Sequence, residues 1–325
     1  MAKTKDGTVE KKPKSNIYMS ASMILDHPKQ IVPVSPAMDV ALGGGVSESV
    51  LMTISGPEKL GKTSLALKIA SNAQKMGKMV IFADVEHRLK IMNLKGIKGL
   101  LTDDDHFKVI RSVKGDILSG ETILERCEES LLQYPGSILI VDSLSALCPA
   151  AEQTKLYSES IMAARGKLEA TFCRRIAPII SVNDNIVIGI AHIAANIGGY
   201  GMSEKMGQTT RYALDYKVKC TKSQPFEWTS GDQQVGQRIK FECLTSALDK
   251  PGGEAVCWLR YGEGFSDEME IIEMAVELQI IDKGGSWFTL TSGEKIQGQD
   301  QLYQMLVENP SLYDDIYKKV KEVLQ

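Results

Sequence analysis

No stretch of this sequence stays apolar for long enough to cross a bilayer. Its longest apolar runs, such as Ile138 to Val141 and Ile186 to Ala191, fall far short of the roughly 20 residues a membrane helix needs. A secretory leader is not expected either: residues 1–16 carry five lysines beside Asp6 and Glu10, but no apolar segment follows them. The six cysteines (Cys127, Cys148, Cys173, Cys220, Cys243 and Cys257) include no C-x-x-C pair, and no histidine stands near them at metal-ligand spacing. They read as buried thiols of a reducing compartment, which points to the cytoplasm. Bulk positive charge is missing as well. The formal net charge of −3 excludes nucleic-acid binding by overall basicity, while leaving room for a local basic groove.

What is present is an ordinary globular composition, 43% hydrophobic and 24% charged, over 325 residues, enough for a large domain and a smaller one. The lysine-rich segment 1–16 reads as a flexible basic tail, either a solvated arm or a contact with phosphate. From Val50 onward, apolar runs alternate with helix-period segments: Val50–Ile54 then Thr63–Lys75; Met79–Asp84; Glu121–Gln133 then Ile138–Val141; Arg165–Ala177 then Ile186–Ala191. That rhythm predicts an α/β fold, a mostly parallel sheet flanked by helices. After Tyr212 the pattern becomes strands with short connections, around Lys217–Thr221, Ile239–Leu244 and Val256–Leu259, which predicts an antiparallel extension of the same sheet. A helix (Glu268–Leu278), a short strand (Trp287–Leu290) and two helices split at Asn309-Pro310 then make a small α/β C-terminal domain. The expected division is a tail (1–16), a linker (17–33), a core (34–263) and the C-terminal domain (264–325).

Gly56-Pro57-Glu58-Lys59-Leu60-Gly61-Lys62-Thr63, followed by Ser64, fits the phosphate-binding pattern G-x-x-x-x-G-K-[ST] and lies between a predicted strand and a predicted helix. The glycines let backbone N–H groups close on a nucleotide's phosphates, and the helix N-terminus adds positive potential. Lys62 can reach the β- and γ-oxygens, and Thr63 can ligate Mg²⁺. The strand Ser137–Val141 ends in Asp142-Ser143, a carboxylate at the rim of a buried strand, placed to hold Mg²⁺ through water. ATP and Mg²⁺ are therefore the expected ligands. Met79–Asp84 runs into Asp84-Val85-Glu86-His87, which brings Glu86 to the same rim. Spacing leaves two readings open for Glu86: a base for the attacking water, or a charge at a helix N-terminus.

These features are common to kinases, GTPases, helicases and transporters, so they do not select a function. Other segments do. Asp84-Val85-Glu86-His87 resembles the D-x-E-H segment of bacterial members of the RecA family of DNA recombinases, in which the glutamate is catalytic. Met38-Asp39-Val40-Ala41-Leu42-Gly43-Gly44-Gly45 is similar to the family's L-D-x-x-L-G-x-G, and Arg260-Tyr261-Gly262-Glu263-Gly264-Phe265 to its Y-G-E-G-[IF]. Gly284-Gly285-Ser286-Trp287-Phe288 and Gly293-Glu294-Lys295-Ile296-Gln297-Gly298 resemble G-A-W-Y and G-E-K-I-G-Q-G. Together they run from about Val34 to the C-terminus.

The resemblance implies an ATPase of the RecA-type P-loop core that forms helical filaments on single-stranded DNA and pairs it with double-stranded DNA. It assigns Tyr261 to packing near adenine. His192 becomes the γ-phosphate sensor, where bacterial members have glutamine and some phage members histidine; from the residues alone, His192 could also be a satisfied core histidine. It makes two segments DNA-binding: about 152–164, leading into a helix with Arg165, Lys167 and Arg174, and about 193–210, with Ile197, Gly198, Gly199, Tyr200, Lys205, Gly207 and Arg211. Backbone amides and cations can track phosphates, and an apolar wedge such as Ile197 can separate bases. On length alone, such loops are simply mobile segments. Tyr18 and Ala21 in Tyr18-Met19-Ser20-Ala21 resemble the F-x-x-A polymerisation motif, and Tyr212 stands at an interface aromatic, both consistent with a repeating heterologous contact. One departure stands out. Where bacterial members supply two lysines to the neighbouring protomer's ATP, this chain has Thr245 and Ala247, with Lys250 the nearest cation.

Overall fold

The computed structural model describes residues 28–153, 164–195, 202–204 and 207–324. Tyr18, Ala21, Ile197, Gly198, Gly199, Tyr200 and Lys205 lie outside the described residues. A short antiparallel pair, β1 (Ile31–Val32) and β2 (Val46–Ser47), flanks helix α1 (Pro36–Leu42). The large sheet is built from β3 (Val50–Gly56), β4 (Val80–Asp84), β5 (Phe107–Ile110), β6 (Ile138–Asp142), β7 (Ile186–Ala195), β8 (Met202–Glu204), β9 (Tyr216–Ser230), β10 (Gln233–Thr245), β11 (Gly253–Arg260) and β12 (Gly264–Phe265). Its order is β12-β11-β10-β9-β3-β7-β6-β4-β5, with β8 paired to the far end of β7. From β9 to β5 the pairings are parallel; from β9 to β12 they are antiparallel.

Strand periodicity separates two cores. Met52, Ile54, Phe82, Ile140 and Ile188 point to one face, against α2 (Lys62–Gln74) through Leu65 and Ile69. Their neighbours Leu51, Ile81, Leu139 and Val187 point to the other. There they meet α4 (Gly120–Gln133), after the short α3 (Ile91–Lys95), and α6 (Ala164–Asn183), which follows α5 (Ala150–Gln153). Because both faces are covered, the central strands read as continuous apolar runs rather than alternating ones. Such runs end at the sheet's C-terminal rim, where P-loop, Asp142, Glu86 and His192 all emerge.

After α7 (Gln208–Tyr212), the antiparallel wing carries the C-terminal segment: α8 (Asp267–Glu277), β13 (Asp282–Gly284), β14 (Trp287–Thr289), β15 (Lys295–Gln297), α9 (Gln299–Glu308) and α10 (Pro310–Leu324). Trp228 of β9 and Trp258 of β11 stand edge to face at 5.4 Å and pack with Ile271, Phe288, Tyr303 and Ile316. Among the described residues, no helix is long and apolar enough to cross a membrane.

The sequence reading differs from the structure at several elements. Helix α6 continues through Pro178 to Asn183 instead of ending at Ala177, since Ile176 and Ile180 on either side of the proline are buried. Strand β9 is three times the length expected from Lys217–Thr221. Residues 223–226 bulge out opposite Arg238, and pairing resumes at Glu227, so the apolar pattern breaks at Gln224-Pro225 without ending the strand. Within the second segment, Ile193, Ala194 and Ala195 pair antiparallel with Glu204, Ser203 and Met202. Cys148 is exposed, unlike the other five cysteines; it lies in the connection between β6 and α5, outside both cores.

Glu270 of α8 is fully buried, and its carboxylate accepts the Ala37 N–H at the head of α1. Burial, with Asp267 nearby, pushes its pKa from 4.5 to about 8, and burial likewise raises Asp39 to about 7. A raised carboxyl pKa means the folded protein holds a proton that the unfolded chain releases above pH 4.5. Stability from this group is complete below that pH and is lost as pH rises through about 8. Glu270→Gln is expected to raise Tm more at pH 8 than at pH 5. Equal shifts in thermal melts at the two values would contradict this assignment.

Candidate nucleotide site

Strand β3 ends in Gly56, whose backbone lies so close to β9 that a Cβ would stand 2.2 Å from Cys220 Sγ. Gly61, at φ 64°, turns the chain into α2. Between them the loop wraps around Lys62, which is buried with its Nζ donating to the carbonyls of Gly56 at 3.0 Å and Pro57 at 2.6 Å. Burial lowers its pKa, opposed by Cys220 and Asp142. An ammonium held on its own loop's carbonyls fits anionic phosphate oxygens, which would exchange for those contacts. Gly61, Lys62, Thr63, Ser64, Glu58 and Lys59 line a cleft of about 350 Å³. Leu60 does not; it is packed in the core behind the loop.

Across the cleft, Thr63 Oγ1 donates to Asp142 Oδ2 at 2.7 Å. Two hard oxygen donors at that spacing fit Mg²⁺, which keeps waters and takes few protein ligands. Burial, reinforced by Glu86, raises Asp142 to about 6, partly countered by the Thr63 hydrogen bond. Glu86 lies in the turn after β4, away from any helix N-terminus, since α3 begins only at Ile91. The turn is fixed by Val85 and Glu86 N–H groups on the Asp142 carbonyl, and by Asp84, which accepts the N–H of Arg88 at 2.9 Å. Glu86 Oε1 accepts from Ser143 Oγ at 2.5 Å and sits 2.6 Å from His192 Nε2. Burial would raise this carboxyl, but the Ser143 and His192 hydrogen bonds outweigh it and hold Glu86 below its usual value. His192 is half-buried beside Gly56 in the β3–β7 register, and its Nδ1 has no partner among the described residues.

Tyr261 lines the mouth of the cleft. Its hydroxyl accepts from Gln234 at 3.0 Å and contacts Gln237, whose Nε2 donates to the Lys59 carbonyl at 2.9 Å. The antiparallel wing thus grips the phosphate loop.

Comparison with known proteins matches residues 17–266 to the RecA N-terminal domain and 269–325 to the RecA C-terminal domain. The chain belongs to the RecA family. It is 34% identical over 294 residues to Protein RecA of Geobacter sulfurreducens, covering 89% of this chain and 84% of that one. Protein RecA of Nitratiruptor sp. is 30% identical over 311 residues, covering 91% and 86%. That of Bifidobacterium longum is 29% identical over 310 residues, covering 93% and 76%. ATP binding, DNA binding and a part in DNA recombination and repair follow from membership of the RecA family.

Of the residues that the RecA resemblance assigns to DNA, Arg165, Lys167, Arg174, Gly207 and Arg211 are among the described ones, on α6 and at α7. Lys167 and Arg174 are exposed on α6, about 10 Å apart along the axis at 1.5 Å per residue. Arg174 reaches Thr171, while its neighbour Arg175 is paired with Glu128 of α4. Arg165 turns inward to the Ser145 carbonyl at 2.9 Å and to Glu169. Gly207 caps α7, which also carries Arg211 and the exposed Tyr212. Sequence reasoning missed Ser143, Ser145 and Gln237. Ser143 was in plain view beside Asp142, but its role depends on a turn 57 residues away, and Gln237 meets Lys59 across 178 residues.

Proposed function

We propose that this chain is an ATP-dependent recombinase that assembles into a helical filament on single-stranded DNA and promotes pairing and strand exchange with double-stranded DNA. The observation that carries this reading is the course of β7. It delivers His192 to Glu86 in the nucleotide cleft and continues at once through Ile193–Ala195, which pair with Met202–Glu204 of the second segment, so one strand serves both.

In hydrolysis, Lys62 leaves the Gly56 and Pro57 carbonyls for the β- and γ-oxygens of ATP. Thr63 and, through water, Asp142 would hold Mg²⁺, which would neutralise phosphate charge. Glu86 takes a proton from the water that attacks the γ-phosphorus, releasing ADP and phosphate. His192 donates to a γ-phosphate oxygen, and Tyr261 packs against adenine. DNA is held by Lys167, Arg174, Gly207 and Arg211 together with Ile197, Gly198, Gly199, Tyr200 and Lys205. Protomers join through Tyr18, Ala21 and Tyr212, and the filament acts in the cytoplasm.

A second reading, a DNA-binding accessory ATPase without strand exchange, is favoured by Thr245 and Ala247 standing where other members supply lysines. For the first reading, ATP turnover is expected to rise on adding single-stranded DNA, and Lys62→Ala is expected to abolish both turnover and nucleotide-dependent assembly. Turnover indifferent to DNA, with no nucleotide-dependent DNA binding, would sink it.

A further inference from the structure

At the head of α6, against Gly207, lies a polar junction. Glu169, on the second turn of α6, is only 1% exposed, and its carboxylate accepts the Gly207 N–H at 3.3 Å. Gly207 is the foot of the second segment. A Cβ there would stand 3.5 Å from the Gly166 carbonyl, so the heads of α6 and α7 are in contact. Arg165, one turn earlier on α6, faces the other carboxylate oxygen at 3.3 Å and donates to the Ser145 carbonyl. Burial raises the Glu169 pKa, opposed by the Gly207 N–H and Arg165.

From Ser145 the path enters the cleft. The His192 N–H donates to Ser145 Oγ at 3.2 Å, and Ser145 Oγ lies 3.0 Å from Ser143 Oγ. Since Ser143 spends its proton on Glu86, Ser145 must donate to Ser143, and the chain has one direction: His192 N–H to Ser145, Ser145 to Ser143, Ser143 to Glu86. Aligned hydroxyls of this kind polarise one another, so a change at Glu86 is felt at Ser145. The residue that bears the Ser145 hydroxyl also bears the carbonyl that holds Arg165.

We propose that Arg165 and Glu169 are positioning residues which, through Ser145 and Ser143, transmit the state of the nucleotide cleft to the feet of both DNA-loop segments. The link is a continuous run of polar contacts from Glu86 through Ser143 and Ser145 to Arg165, Glu169 and Gly207. The link to DNA rests on the function proposed above; the transmission from nucleotide to loop foot does not.

Hydrogen exchange on the full-length protein, with and without a non-hydrolysable ATP analogue, tests it without DNA. In the native protein the analogue is expected to slow exchange across residues 202–212 roughly tenfold or more. In Glu169→Gln the slowing should fall below about twofold while the analogue's Kd stays within about twofold of native, and Glu169→Asp should restore part of the response. No response in the native protein, an equal response in Glu169→Gln, or equal loss in the Gln and Asp variants would overturn the proposal. DNA stimulation of ATP turnover, measured separately, bears on the proposed function alone.

Discussion

Glu86→Gln is expected to lower ATP turnover by about 10²–10⁴ while leaving nucleotide binding nearly intact, the range typical for loss of a general base. Three features argue for so large an effect. The carboxylate faces the cleft that holds Lys62 and Thr63. Ser143 and His192 keep it ionised despite partial burial. The backbone of its turn is bonded to Asp142, so its distance from Asp142 and Thr63 is fixed by the sheet itself. Glutamine preserves the shape and the Ser143 hydrogen bond but cannot take a proton. Single-turnover rates, with analogue affinity measured in parallel, check this; a variant within a few fold of native turnover would show that Glu86 is structural.

The second large effect concerns a cation that is missing. Thr245 ends β10, which runs antiparallel to β9, so Thr245 and Ala247 lie at the end of the sheet opposite this chain's own phosphate loop. Ser246 there bonds the Leu42 carbonyl at 2.8 Å, far from Lys62 in the fold. A lysine at either position would serve only a neighbouring copy. A cation supplied in trans to a transferring phosphoryl group is worth roughly 10³–10⁵ in rate. DNA-stimulated turnover is therefore expected to be slow beside that of a RecA protein carrying both lysines, and Thr245→Lys with Ala247→Lys should raise it at least about tenfold in the filament. Fast native turnover, or no gain in the double variant, would mean that another group, such as Lys250, already fills the role.

The parts of this account that were legible in the sequence are those whose physics is local. A phosphate loop needs a strand, two glycines and a helix in immediate succession, and residues 50–75 contain all of them. Asp142 could be placed because it ends a run apolar enough to be a covered parallel strand, and Glu86 because it follows the end of another by two residues, although its role stayed open. His192 needed the family resemblance, because one histidine at a strand end has no distinctive local signature. Where the reading fell short, tertiary packing overrode a local rule. Pro178 should have ended α6, and Gln224-Pro225 should have ended β9. Cys148 departs from the expectation of buried thiols because the connection it occupies faces solvent. The Arg165–Glu169 pair has ordinary i,i+4 spacing, and nothing in the sequence indicates that Glu169 is buried against Gly207.

The central claim is strand exchange, and the assay is joint-molecule formation between circular single-stranded DNA and homologous linear duplex, with ATP and with a non-hydrolysable analogue. Joint molecules are expected with both nucleotides, since pairing needs the bound state, and none with Lys62→Ala. Filaments that coat the single strand yet form no joint molecules with either nucleotide would contradict it.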